Sequence, residues 1–259
     1  MPHEPVDYDA IAATYNRRYE ANPMQPVADT LNELAGSLAA QNVLEAGCGT
    51  GRWLADLAAP GRALYGLDAS RGMLHGAAQR GGRLNLVHGR AESLPFRTAS
   101  FDFVYAVNAL HHFADRLRFV QEARRVLRPG GALAVIGTGR VEQADWCVYE
   151  YFEGTLALDR ARFPTPERLG GWMAASGFEG VESRVVYEID ERFVGRDVFA
   201  SPFLEKHATS QLVLLSDEAY AAGLQRMEET IAAAEAAGEQ AEFRSRLELV
   251  MVLGRVPAG

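Results

Sequence analysis

Cysteine is scarce in this chain: Cys48 and Cys147 are the two in 259 residues, and their spacing matches neither a disulfide framework nor a paired metal motif. A reduced, cytoplasmic setting is therefore the expectation. No charged stretch followed by an apolar segment opens the sequence, so a secretory leader is not expected. No apolar run approaches the ~20 residues a bilayer-crossing helix needs, which excludes a membrane span as an expectation. Basic clusters are missing as well. With a formal net charge of -8, the chain is poorly suited to grip a phosphate backbone, and no nucleic-acid partner is expected. Arg116, Arg118, Arg124, Arg125 and Arg128 do lie close together, but on a helix they read as a solvated face. Of the six histidines, His3, His75, His88 and His207 stand alone at no ligand spacing, so no metal site is expected.

What is present is an ordinary folded composition, 48% hydrophobic and 23% charged, which argues against disorder and fibrous repeats. Short apolar runs recur with helical patterns between them. Val43–Ala46, Ala63–Leu67, Leu84–Val87, Phe101–Val107 and Ala132–Ile136 read as strands, and Val181–Ile189 and Leu247–Val256 as later ones. Asp115 is placed to cap a helix carrying Leu117, Val120, Ala123, Val126 and Leu127 on one stripe, ended by Pro129-Gly130-Gly131. Thr165-Pro166-Glu167 opens another helix and Gly177 closes it. Such alternation predicts a mainly parallel sheet covered by helices on both faces. Before it, Tyr8, Ile11, Ala12 and Tyr15 share one helical face, and a second helix is expected after Pro26. Residues 190–246 lack strand alternation and include the alanine-rich run 231–237, which predicts a helical insertion.

The chemistry concentrates after the first strand. In Glu45-Ala46-Gly47-Cys48-Gly49-Thr50-Gly51, three glycines let the backbone turn sharply and approach a ligand where a Cβ would collide. A dinucleotide fingerprint would need glycine at position 52, where Arg52 stands. Asp68 ends the second strand, where an acidic side chain meets ribose hydroxyls, and a carboxylate can accept two such bonds at once.

Further motifs follow in order: Leu67-Asp68-Ala69-Ser70-Arg71-Gly72-Met73-Leu74, Gly89-Arg90-Ala91-Glu92-Ser93-Leu94-Pro95-Phe96, Phe101–Val104 with Leu110-His111-His112, and Arg125–Gly131. The series resembles the class I S-adenosylmethionine (SAM) dependent methyltransferases, in the broad group that includes ubiquinone-biosynthesis C-methyltransferases. The resemblance covers residues 43–137 tightly and 163–181 more loosely. It implies an α/β, Rossmann-like doubly wound sheet of seven strands, mostly parallel with an antiparallel last strand, plus a helical lid. The expected layout is one methyltransferase domain, 1–259: a helical cap over 1–40, a SAM-binding core over 41–140, and a substrate-side region over 141–259 containing the insertion 190–246. Glu45, Gly47, Cys48, Gly49 and Gly51 would hold the methionine end, with the helix beginning near Arg52 favouring its carboxylate. Asp68 and Ala69 would hold the ribose, Met73, Ala91 and Glu92 the adenine, and Tyr15 and Asn108 would complete the cofactor site. Arg90 departs from the acidic residue usual in the adenine loop, and arginine cannot accept a hydrogen bond from the adenine amino group.

Methyl transfer is an in-line displacement in which positioning supplies much of the rate, roughly 7–11 kcal/mol of barrier. A base is needed only where the acceptor must lose a proton. His111, His112 and Tyr15 are the catalytic candidates, each with a packing role as its alternative. Trp146, Tyr149, Tyr151, Phe152, Phe163, Phe193, Phe199 and Phe203 fall in segments that the resemblance places over the acceptor pocket, implying a small apolar or aromatic methyl acceptor, or a cationic one held by aromatic faces. A SAM-binding regulator without turnover and a nicotinamide-dependent oxidoreductase are the competing expectations. Neither the methylated atom nor an oligomeric state follows from the sequence.

Overall fold

The computed structural model describes residues 8–11, 22–207 and 209–259. In chain order these form α1 (Tyr8–Ile11), α2 (Gln25–Ser37), β1 (Asn42–Ala46), α3 (Arg52–Asp56), β2 (Ala63–Asp68), α4 (Arg71–Gln79), β3 (Leu84–His88), β4 (Phe101–Val107), α5 (Arg116–Val126) and β5 (Leu127–Thr138). Then come β6 (Asp145–Trp146), α6 (Cys147–Tyr151), α7 (Thr155–Arg162), α8 (Pro166–Ala175), β7 (Glu179–Val194), α9 (Ser210–Val213), α10 (Asp217–Ala236) and β8 (Glu242–Arg255). The seven long strands run in the order β3-β2-β1-β4-β5-β8-β7, and the two-residue β6 also pairs with β8. β1 through β5 pair in parallel; β8 is antiparallel to both of its long neighbours. This is the expected doubly wound sheet.

Side-chain alternation explains the two helical layers. Along β4, Phe103, Tyr105 and Val107 enter one core with Val27, Leu31, Trp53 and Leu54 of α2 and α3. Val104 and Ala106 enter the other with Phe119, Val120, Leu169 and Met173 of α5 and α8. A period of two on strands buried on both faces requires apolar residues at every position, which is what the nearly continuous run Phe101–Val107 supplies. The caps behave as expected. Asp115 accepts from the Arg118 N–H at 2.9 Å, Thr165 accepts from the Arg168 N–H at 3.2 Å, and Gly177 takes φ 84° just beyond α8.

The insertion needs correcting at both ends. β7 continues to Val194 and β8 begins at Glu242, so residues 190–194 and 242–246 are strand, registered Asp190↔Arg246 through Val194↔Glu242. The helical part lies between them, from Gly195 to Ala236. This ribbon is rich in charge, with Arg244 paired to Asp190 and Arg246 to Glu188 on its exposed side, and that masks its alternation. Its inner side buries Phe243 and Ser245. Under the insertion a third core gathers Phe152, Val198, Leu212, Met227, Ile231 and Phe243. The lid is thus the long connection of a β7–β8 hairpin, carried on strands that belong to the main sheet.

Candidate active site

The carboxyl ends of β1, β2 and β4 converge on a cavity of about 840 Å³, within the ~300–1,000 Å³ typical of small-molecule sites. Gly47 and Gly49 form its floor, Asp68, Ala69 and Met73 one side, Ala91 and Glu92 another, and Asn108, His111 and His112 the end nearest the lid. The loop after β1 is held from below: the Gly47 and Cys48 N–H groups donate to the Leu67 carbonyl at 2.7 and 3.0 Å. Gly47 and Gly51 both have φ 71°, a conformation that disfavours a Cβ. At Gly47 a Cβ would also lie 2.6 Å from the Ala109 Cβ, and at Gly51 3.0 Å from that of Ala77. The missing side chain at Gly47 lets the loops after β1 and β4 touch.

Asp68 fastens this loop. Its Oδ2 accepts from the Gly49 N–H at 2.8 Å and its Oδ1 from the Ser70 N–H at 2.9 Å, leaving further lone pairs on a carboxylate that faces the cavity. Burial raises its pKa above the usual Asp range, against those backbone N–H bonds. Glu45 and Cys48 do not line the cavity. Glu45 is fully buried beneath the loop, where the Tyr105 hydroxyl donates to it at 3.1 Å, and burial pushes its pKa well above the carboxylate range. Cys48 is buried against the backbone, and burial raises its thiol pKa too, which makes it an unreactive side chain. Gly51 caps α3; that helix has five residues, so the dipole expected to favour a carboxylate is short.

Met73 is buried against the cavity, and Ala91 and Glu92 lie along it. Glu92 accepts from the Ala114 N–H at 2.5 Å and lies 3.6 Å from Arg90, so Arg90 is an exposed partner of Glu92 on the rim. Tyr15 falls outside the described residues. From the same N-terminal segment, Tyr8 enters the cavity wall, its hydroxyl 2.5 Å from His112 Nε2. His111 stacks on Phe163 with centroids 4.1 Å apart and lies 3.8 Å from the His112 ring.

Sequence reasoning missed Asp9, Arg116 and Arg162. Asp9 accepts from the Ser70 hydroxyl and the Gly72 N–H, both at 2.6 Å, pinning α1 onto the start of α4; these bonds hold its carboxyl below the usual range. Its place beside Tyr8 was the available signal. Arg116 and Arg162 line the cavity, which corrects the solvated face expected for Arg116: it stands at the first turn of α5, turned toward the loop that carries His111.

A second, smaller chamber of about 100 Å³ lies under the lid. Trp146, Phe163, Phe203, Ile189, Leu247 and Leu249 supply its apolar wall, and Ser210 and Gln211 a polar corner. Tyr8, Asn108, His111 and His112 line both spaces. Tyr149, Tyr151, Phe152, Phe193 and Phe199, expected over the acceptor, pack instead in the lid core. Among the described residues, no cluster of His, Cys, Asp and Glu could hold a metal ion, and no helix is long and apolar enough to cross a membrane.

A doubly wound sheet whose glycine loop and strand-end carboxylate open onto a ligand-sized cavity defines a nucleotide-type cofactor site at the carboxyl edge. Similarity to known proteins specifies which. Residues 44–135 match the model of a methyltransferase domain. A protein of Mycolicibacterium smegmatis described as a probable S-adenosylmethionine-dependent methyltransferase is 37% identical over 195 residues, 71% of this chain and 76% of that one. A demethylmenaquinone methyltransferase of Geobacillus kaustophilus is 31% identical over 206 residues, 76% and 82% of the two chains. The O-methyltransferase resE of Aspergillus sclerotiorum is 33% identical over 183 residues, 67% and 66%. Among solved structures, a SAM-dependent methyltransferase of Thermotoga maritima superposes with a TM-score of 0.57 at 20% identity, covering 96% of this chain and 97% of that one. The chain belongs to the class I SAM-dependent methyltransferases, and its donor is SAM rather than a nicotinamide. The cavity fits that group: it is large enough, its loop is clear of Cβ atoms at Gly47 and Gly49, and Asp68 offers acceptor lone pairs.

Proposed function

We propose that this enzyme methylates a small, apolar or aromatic acceptor held in the chamber under the lid. One observation carries the reading: Tyr8, Asn108, His111 and His112 are common walls of the two cavities, so anything spanning both must react between these four side chains. At about 100 Å³ the chamber is smaller than the ~150 Å³ cavity that holds benzene, so an aromatic acceptor would fill it and extend past the shared wall into the large cavity. The names of two relatives are compatible, one an O-methyltransferase and the other acting on demethylmenaquinone.

When bound, SAM supplies a methyl group already activated by its sulfonium. The chain's part is to orient and deprotonate. Asp68 receives the ribose hydroxyls while it holds Gly49, Met73 and Ala91 flank the adenine, and the Gly47–Gly51 loop carries the methionine end. Phe163 and Trp146 fix the acceptor's plane. His112 would take the acceptor's proton at Nε2 once the acceptor's X–H group displaces the Tyr8 hydroxyl that contacts this atom, and His111, buried against Phe163, sets that ring's position. Tyr8 and Asp9 both line the cavity, which supports reading 1–259 as a single methyltransferase domain.

The test is transfer of labelled methyl from SAM to phenolic and quinol acceptors. His112→Asn should lower kcat by about 10²–10⁴-fold for an acceptor that must ionise, and Tyr8→Phe by less, with S-adenosylhomocysteine affinity unchanged in calorimetry. A His112→Asn enzyme with wild-type kcat would remove His112 from the chemistry.

A further inference from the structure

The cavity wall between donor and lid carries two guanidinium groups, of which one, Arg116, has no carboxylate partner among the described residues. Arg116 opens α5 and Arg162 closes α7, and both line the large cavity. Arg162 donates to Asp159 at 2.6 Å and to the Ser210 hydroxyl at 3.2 Å. Asp159 is itself fully buried and also accepts from Tyr149 at 2.8 Å and Gln211 at 2.5 Å, so its charge is committed to this network. Arg116 has a single protein acceptor among the described residues, the His111 carbonyl at 3.2 Å, and no carboxylate. The Nε atoms of both arginines are buried without a hydrogen-bond partner. Burial, followed by the neighbouring Arg168 and Arg162 charges, lowers the Arg116 pKa. Those buried Nε atoms are closed to the cavity, so an anion would meet the terminal NH2 groups of the Arg116 fork, whose geometry matches planar anions.

The acidic groups on the same cavity are engaged elsewhere. Asp68 holds Gly49 and Ser70, Asp9 holds Ser70 and Gly72, and Glu92 holds Ala114 beside Arg90. None is a hydrogen-bond partner of Arg116. The cationic pair instead adjoins the acceptor side: Arg162 lies 6.0 Å from the Phe163 ring and bonds Ser210, both chamber residues, and Arg116 bonds the backbone of His111.

We infer that Arg116 receives an anionic group of the methyl acceptor, a carboxylate or phosphate, so that the acceptor is a small ring carrying negative charge. This rests on the proposed acceptor chamber and sharpens its specificity. Phe163 and Trp146 would take the ring, the polar end would meet Arg116, and His112 would lie between them and the donor.

The test uses the protein saturated with S-adenosylhomocysteine and titrated by calorimetry with benzoate, with its neutral isostere benzamide, and with inorganic phosphate. Benzoate should bind about tenfold more tightly than benzamide, the gain of one charge-assisted pair. Arg116→Gln should abolish that preference, Arg116→Lys should keep part of it, and S-adenosylhomocysteine affinity should stay within about twofold in both. Arg162 is left intact because its Asp159 network supports the lid. Benzamide binding as well as benzoate to the wild type would overturn the anionic subsite while leaving the chamber standing; failure of both would overturn the two together. Equal loss of benzoate and S-adenosylhomocysteine in Arg116→Gln would assign the arginine to the donor's own carboxylate, against the inference. Phosphate binding without benzoate binding would make the ring, rather than the charge, the wrong part and would also overturn it.

Discussion

Replacing Asp68 by asparagine tests the donor site most directly, because one carboxylate serves both the fold and the proposed ligand. Its two oxygens accept from the Gly49 N–H at 2.8 Å and the Ser70 N–H at 2.9 Å. An amide has one acceptor oxygen, so whichever way the substituted side chain turns, one backbone N–H meets an NH2 group. Leaving such a donor unsatisfied costs about 1–3 kcal/mol. An opposing contribution comes from burial, which raises the folded-state pKa of Asp68. A group with a raised folded pKa contributes stability below its unfolded pKa and loses it as pH rises through the folded pKa, so near neutrality the wild type bears a desolvation cost that the amide escapes. The two effects largely cancel, and the free variant should stay within ~1 kcal/mol of wild type in urea denaturation near pH 7. Comparing the two proteins between about pH 4 and 8 should show the balance shifting toward the amide variant as pH rises. Ligand binding has no such cancellation. Losing a charge-assisted acceptor removes about 1.5–3 kcal/mol, or ~10- to 100-fold in the dissociation constant for SAM or S-adenosylhomocysteine. A folded Asp68→Asn protein that binds S-adenosylhomocysteine within about twofold of wild type would refute the role given to this carboxylate.

Gly47→Ala should destabilise the protein by about 2–6 kcal/mol in urea denaturation, combining ~1–3 for a left-handed non-glycine residue with ~1–3 for overpacking, since the new Cβ would lie 2.6 Å from that of Ala109. Wild-type stability would show that the loops after β1 and β4 separate freely. Glu122 is buried on α5 and accepts from Arg125 at 2.7 and 3.0 Å, from Arg118 at 3.2 Å and from the Leu94 N–H at 3.0 Å. Glu122→Gln should therefore lower stability by about 1.5–3 kcal/mol near neutral pH. The hydrogen bond and charge of Arg125 depress the Glu122 pKa, so this contribution is present above the unfolded pKa and lost as pH falls through the folded one. The gap in thermal midpoint should close in acid below the normal Glu range, and a gap constant with pH would contradict the ion pair as its source.

Much of the core was legible locally. Strands β1 to β4 fall close to their expected bounds, because each needs apolar residues facing a core and is ended by residues that break the run. β5 begins earlier than expected, at Leu127, since Arg128-Pro129-Gly130 reads as a helix terminator whether or not a strand follows at once. The Asp115 and Thr165 caps lie where their hydrogen-bonding side chains precede helical patterns. The lid was less legible. Its flanking ribbon hides a period of two under exposed ion pairs, and its aromatics look alike in sequence although Trp146, Phe163 and Phe203 face the chamber while Phe152 and Phe199 fill the lid core.

The sequence by itself determined the donor: order and spacing from Glu45 through Gly131 encode a strand, turn and carboxylate whose geometry is set within a few residues of each motif. Only the tertiary structure decided the rest. It buried Glu45 beneath the loop, brought Tyr8 onto His112 across 104 residues, and set Arg116 and Arg162 on one cavity from separate helices. Those juxtapositions depend on how the sheet, the N-terminal segment and the lid pack together, and no local pattern specifies them.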